Sequence, residues 1–167
     1  MKIGILLKRV APFLLALIAV SATLIGIEYF GDQPMGLFSG SRPDGLGFSN
    51  GQFKPPSWKP NAVSSTIDKA DVKHYIAPLA FSGDAATAWS NLVATVKAQA
   101  GATVIKQQPD YLHAEFKSAG IGFVDDVEFA LDAEDKFIHV RSASRLGIRD
   151  FDVNRKRIEN LRTQMTF

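Results

Sequence analysis

Apolar and polar positions alternate with a period of two through much of the chain beyond residue 74. Tyr75, Ala77, Leu79 and Phe81 interleave with His74, Ile76, Pro78 and Ala80. This predicts a strand, and Pro78 restricts it to a sheet edge or an irregular course. Residues 102–107 predict a short strand, "QQPD" a turn, and Leu112, Ala114 and Phe116 another strand interleaved with Tyr111, His113 and Glu115. "AGIG" bends the chain, and residues 123–131 and 136–146 form the clearest hairpin. Between the first two strands the period changes to that of a helix. Asp84 caps it, and Ala85, Ala88, Trp89, Leu92, Val93, Val96 and Ala100 share one face. Gly101 stops it. A last helix over residues 151–165 carries a stripe of Asn154, Ile158, Leu161 and Met165. Runs of consecutive strands predict an α+β fold: an antiparallel sheet of about five strands with two helices packed on one face.

Residues 10–27, VAPFLLALIAVSATLIGI, break this pattern because they carry no charge. As a helix they span about 27 Å, close to the roughly 30 Å core of a bilayer. Lys2, Lys8 and Arg9 precede them, and Glu28 and Asp32 follow. This asymmetry keeps the N-terminus in the cytoplasm and sends the rest to the periplasmic side of an inner membrane. The alternatives are a signal peptide cleaved after Val20-Ser21-Ala22 and a buried soluble helix. The length of the apolar run argues against the first, and the charged flanks against the second. The expected organisation is a basic flank at 1–9, a single-pass transmembrane anchor at 10–30, a linker and strap at 31–65, and an α+β domain at 66–167. Residues 31–65 hold six glycines and five prolines, which exclude a long helix or a central strand. Leu46, Phe48, Phe53 and Trp58 mark the later half as a strap lying on the domain. Asn50-Gly51 suits a tight turn. Trp58 is expected to pack with the strap, with partner contact as the alternative.

The hairpin charges can be placed by register. Paired positions that sum to 269 set Asp125 opposite Ser144, Val127 opposite Ser142, Phe129 opposite Val140 and Leu131 opposite Ile138, on the core side with Phe123. Glu128 then faces Arg141 as a cross-strand ion pair, with Asp126 diagonal to Arg141 and Arg145. Asp125 is left as an inward carboxylate, costly unless paired. Asn154 lies on the buried stripe of the last helix, flanked by Arg155 and Arg157. Asp125, Ser142, Ser144, Asn154 and one of these arginines are expected to meet at the open end of the sheet. They form either a polar network fastening the helix or a pocket for a lipid or small anionic ligand. Arg149, Lys156 and Arg162 read as a solvated helix face or a docking edge.

Composition adds limits. The chain of 167 residues is 46% apolar and 22% charged, with net charge +2, so no global pull toward nucleic acid is implied. There is no cysteine, which excludes disulfides and thiolate chemistry. His74, His113 and His139 lie on separate strands, and alternation turns His113 and His139 away from the core, so no metal site is expected. No cofactor is implied and no catalytic constellation is recognisable.

The segments "PNAVSS" (60–65), "HYIAPL" (74–79), "FVDDVEF" (123–129), "VRSASRLG" (140–147) and "VNRKRIE" (153–159) together resemble the domain-of-unknown-function family 1499, found in bacteria and plastids. The resemblance runs from about Leu46 to Arg162. It implies an envelope location but no activity. Members commonly carry two cysteines around the "PN.VSS" segment, where this chain has Ala62 and, approximately, Pro56.

The expected function is a membrane-anchored, non-catalytic accessory subunit that contacts the bilayer and an integral membrane protein complex. A second expectation is a lipid-binding module whose apolar cavity is lined by Phe116, Phe123, Phe129, Val140 and Leu161. A third is a hydrolase using Asp125 and Ser144.

Overall fold

The computed structural model describes residues 38–165. The expected anchor and its basic flank lie outside them. Among the described residues no helix is long and apolar enough to cross a membrane.

The molecule is α+β, with one antiparallel sheet and two helices. In chain order the elements are β1 (Phe48–Ser49), β2 (Gln52–Phe53), β3 (Ala62–Ser64), β4 (Leu79–Ala80), α1 (Ala85–Lys97), β5 (Ala102–Gln107), β6 (Tyr111–Lys117), β7 (Val124–Asp132), β8 (Phe137–Ser144) and α2 (Val153–Gln164). The main sheet has six strands rather than about five. β5 to β8 form an antiparallel meander, and β3 and β4 both pair with the outer edge of β8. The hairpin register is the expected one, from Asp125 opposite Ser144 to Asp132 opposite Phe137.

Two expectations about the edge change. The strand read over 74–81 shortens to Leu79–Ala80 plus a lone bridge from Tyr75 to Ser64. Pro78 has no amide to donate, so a regular ladder cannot run through it. Its neighbourhood is held from α2 instead: Arg162 donates to the carbonyls of Ala77 and Pro78 at 2.8 and 2.7 Å. Arg162 thus ties α2 to the segment before β4 and is not simply solvated. The second change is β3, which draws part of the expected strap into the sheet as an edge strand.

Both helices cover the same face. Asp84 accepts the Thr87 amide and hydroxyl, each at 2.8 Å, which starts α1 and holds the Asp84 carboxyl below its ordinary value. Gly101 follows α1 with φ +75°, and a Cβ there would lie 2.3 Å from the Lys117 carbonyl oxygen. Only glycine permits that close approach. Trp89, Leu92, Val93 and Val96 of α1 and Ile158 and Leu161 of α2 pack with Leu112, Val127, Phe129 and Val140 in one core. Four of the five residues expected to line an apolar cavity, Phe116, Phe129, Val140 and Leu161, are instead packed together in this core. The fifth, Phe123, precedes β7 and is turned outward, 39% exposed, against Phe38.

The opposite face is covered by the chain before β3. β1 and β2 make a small hairpin, with Asn50 and Gly51 both at positive φ (51° and 74°) as the turn requires. Phe53 packs on Tyr111 and Ala130, and Phe48 stacks on the His139 ring at 5.6 Å. Trp58 takes no part in this packing and is 72% exposed, contrary to expectation.

Candidate functional site

The β7–β8 hairpin places polar groups on both faces of the sheet. On the helix side, strand alternation puts Asp125 in line with Val127 and Phe129. Its Oδ2 accepts from Arg157 Nη2 at 2.6 Å. Arg157 Nη1 donates to Ser142 Oγ at 2.9 Å and to Asn154 Oδ1 at 2.7 Å, and Ser142 Oγ donates to the same Oδ1 at 2.5 Å. Asn154 Nδ2 reaches the Asn61 carbonyl, Ser144 Oγ and Asp150 Oδ2 at 3.1, 2.9 and 2.9 Å. The Arg157 guanidinium also lies over the Phe116 ring, 4.8 Å from its centroid.

Asp125, Ser142, Ser144, Asn154 and Arg157 are therefore together, at the junction of sheet and last helix. Arg155 is not among them. It donates to the carbonyls of Val72 and Lys73 at the surface. Helical spacing explains the division, since positions 154 and 157 share a face and 155 does not. Asn61 and Asp150 also belong to the cluster and were not anticipated. Asp150 carries a local signal: its Oδ2 accepts the Asn154 amide at 2.9 Å, the type of bond that starts a helix. Asn61 is tied in by tertiary contact alone.

The other face holds a second cluster. Glu128 is completely buried. Its Oε1 accepts the Tyr111 hydroxyl and the Gly47 amide, both at 2.7 Å, and its Oε2 accepts Arg141 Nη1 at 2.9 Å. Arg141 Nε donates to the Lys54 carbonyl at 3.0 Å. Asp126 takes the Arg145 fork, with Nε on Oδ2 and Nη2 on Oδ1, each at 2.8 Å, and Oδ1 also meets His113 Nε2 at 2.8 Å. Arg145 and Arg42 both bond Glu115.

Glu128–Arg141 is the cross-strand pair that the register predicts, whereas Asp126 bonds Arg145. His113 does face away from the helices, but it is buried, with its Nε2 on Asp126. Tyr111, His113, Glu115 and Arg42 were missed; the alternation of β6 put the first three on this face, but nothing local marked the face as closed.

Electrostatics follow from the packing. Burial works to raise the Asp126 pKa, but hydrogen bonds from Arg145 and His113 overcome it and hold the carboxyl below its ordinary value. The ionised Asp126 can only accept, so His113 Nε2 carries the proton between them. Burial and the neighbouring Glu128 carboxylate push the Tyr111 hydroxyl well above its ordinary value. The hydrogen bond to Asp126 raises Arg145 further.

Ser65, His139 and Asp132 come closest to a catalytic relay. Ser65 Oγ is 3.4 Å from His139 Nδ1, but it already accepts the Val140 amide at 2.9 Å. His139 Nε2 is 3.8 Å from Asp132, beyond hydrogen-bond reach. Among the described residues no set of three or more acids and histidines is placed to hold a metal ion. No buried side-chain nitrogen or oxygen among them lacks a hydrogen-bond partner.

A protein-family model described as "Protein of unknown function (DUF1499)" matches residues 52–165. The chain belongs to the DUF1499 family. Comparison with curated proteins and with solved structures gave no match. In this DUF1499 chain four of the five segments that carried the resemblance overlap β3, β7, β8 and α2; they hold most of the helix-side cluster and, in Asp126, Glu128, Arg141 and Arg145, half of the other. Ala62, at one of the places where the resemblance implies cysteine, is buried in β3 opposite Ala143.

Proposed function

We propose that this chain is a membrane-anchored, non-catalytic accessory subunit of an integral membrane protein complex, with its α+β domain on the periplasmic side. The observation that carries the non-catalytic part is the mutual engagement of the polar groups. Asp125, Asp126 and Glu128 each face a guanidinium at hydrogen-bond distance. A general base or nucleophile needs a lone pair free to meet a substrate; these carboxylates direct theirs at arginine forks, which suits rigid fastening of a binding surface. The anchor rests on the uncharged run 10–27 and its basic flank. Trp58 is a large aromatic that the domain leaves uncovered, and it is the side chain we assign to the partner, since aromatic residues dominate interface energetics.

The test is photocrosslinking in native membranes, with a photoreactive phenylalanine analogue at Trp58 and at the exposed Ala86 as control. Adducts with one integral membrane protein from Trp58, and none from Ala86, are expected. A chain that crosslinks to no protein and purifies alone in mild detergent would end the subunit reading.

A further inference from the structure

Ten large apolar side chains are exposed among the described residues, and seven of them crowd one end of the sheet. Ile121 and Phe123 lie in the loop between β6 and β7. Leu146, Ile148 and Phe151 lie in the loop between β8 and α2, and Val153 opens α2. Phe38 completes the set through its ring, 5.5 Å from that of Phe123. The loops are joined: the Arg145 amide donates to the Val124 carbonyl at 3.2 Å, and Val153 lines one groove with Lys117 and Ala119. Exposed apolar side chains scattered singly are ordinary, but a cluster marks an interaction surface.

The backbone works to keep this surface exposed. Phe151 and Asp152 are consecutive non-glycine residues at φ 55° and 65°. Left-handed geometry is unfavourable for a bulky side chain. Here it accompanies a phenylalanine that is 80% exposed. Lys117, Arg149 and Lys156 stand around the cluster. Of the nearby acids, Asp150 is turned inward onto Asn154 and the Asp152 amide, which leaves Asp152 at the surface.

We infer that this end of the domain docks on a bilayer surface containing anionic phospholipid, with Ile148 and Phe151 inserted at the headgroup level and Arg149 and Lys156 on lipid phosphates. Apolar tips within a basic rim match an interface that is oily below and negative above. Phe38 belongs to this cluster and follows the last residue of the uncharged run, Ile27, by only eleven positions. The choice of a bilayer as occupant therefore rests on the anchored reading.

The test uses the full chain in bilayers, and the absence of native cysteine makes single labels unique. Nitroxide labels are placed at Ile148→Cys, Phe151→Cys, Glu134→Cys in the turn at the other end of the hairpin, and Leu17→Cys in the uncharged run. Accessibility to oxygen, which concentrates in lipid, and to a water-soluble nickel chelate is then compared between phosphatidylglycerol-containing and pure phosphatidylcholine bilayers. In anionic bilayers the labels at 148 and 151 are expected to report lipid and the label at 134 to report water. Arg149→Glu with Lys156→Glu should shift the docked fraction toward water by at least about tenfold. Labels at 148 and 151 as exposed to the chelate as the one at 134 would overturn the inference. So would labels shielded from both reagents, which would mean that protein covers the patch. An aqueous Leu17 label would overturn the anchored reading alone, and the labels at 148 and 151, with vesicles added, would still decide the docking.

Discussion

The two faces of the β7–β8 hairpin are both closed, but by different chemistry. On the helix side Val127, Phe129, Ile138 and Val140 meet the apolar stripes of α1 and α2, with the polar cluster confined to one end. On the other side Glu128 and Arg141 meet a Gly- and Pro-rich segment whose backbone supplies a donor and an acceptor directly, with the Asp126–Arg145 pair beside them. A helix offers a continuous apolar stripe, so area burial suffices to hold it. A segment that forms no long element offers few apolar side chains. Phe48 and Phe53 contribute what they can, and directional charge-assisted bonds do the rest. The contrast teaches that a buried ion pair can fasten a strap where the composition of the strap rules out a hydrophobic seam.

The comparison can be broken most forcefully at Phe129. Truncation to Ala should cost about 3–5 kcal/mol, because the cavity lies inside a filled core. Urea unfolding of the detergent-solubilised chain measures this, and a loss below about 1 kcal/mol would mean that the helix face is not the main source of stability. Glu128→Ala is next, at about 3 kcal/mol, since it leaves Arg141 and the Tyr111 hydroxyl buried without their acceptor. The sharper version replaces all three groups. Glu128→Leu with Arg141→Met and Tyr111→Phe should be more stable than Glu128→Ala by about 1–2 kcal/mol, because an apolar set of similar volume needs no charge pairing, while the Gly47 amide and Lys54 carbonyl are left to water. If the triple variant is no better than Glu128→Ala, the strap face depends on its ions for more than pairing.

Acid separates the faces without a change in the core. The folded Asp126 carboxyl lies below its ordinary value, so the unfolded chain binds its proton first as pH falls. The stability that it contributes is present above the unfolded value of about 4 and is lost as pH drops through the lower folded value. Asp126→Asn should flatten that acid limb. Matching slopes for native and variant chains, read from urea midpoints between neutral and acid pH, would refute the assignment. The smallest effect is expected at the rim. Arg42 bonds Glu115 but is half exposed, and Arg42→Ala should change stability by no more than about 1 kcal/mol.

Much of this was legible beforehand for identifiable reasons. The hairpin register followed from a period of two, because a slip of one residue would exchange Phe129 with Glu128. The cluster of Asp125, Ser142, Ser144, Asn154 and Arg157 followed from joining that register to the helical spacing of α2. Arg155 failed because flanking a stripe does not say on which side the partner lies. Trp58 failed because aromatic content marks a strap without saying which rings point inward. The strand through Pro78 failed because alternation cannot count missing amide donors.

The sequence by itself determined the two helices and the strands from β5 to β8, the pairing of the hairpin and the polarity of its two faces, since these depend on periodicities within a few residues. Only the tertiary structure decided that the second face is closed, that its ion pairs are buried, and that seven exposed apolar residues gather at one end. The contacts responsible, Gly47 with Glu128 and Lys54 with Arg141, join residues 81 and 87 positions apart. No local pattern records a bond of that span; it exists only once the strap has been laid across the sheet.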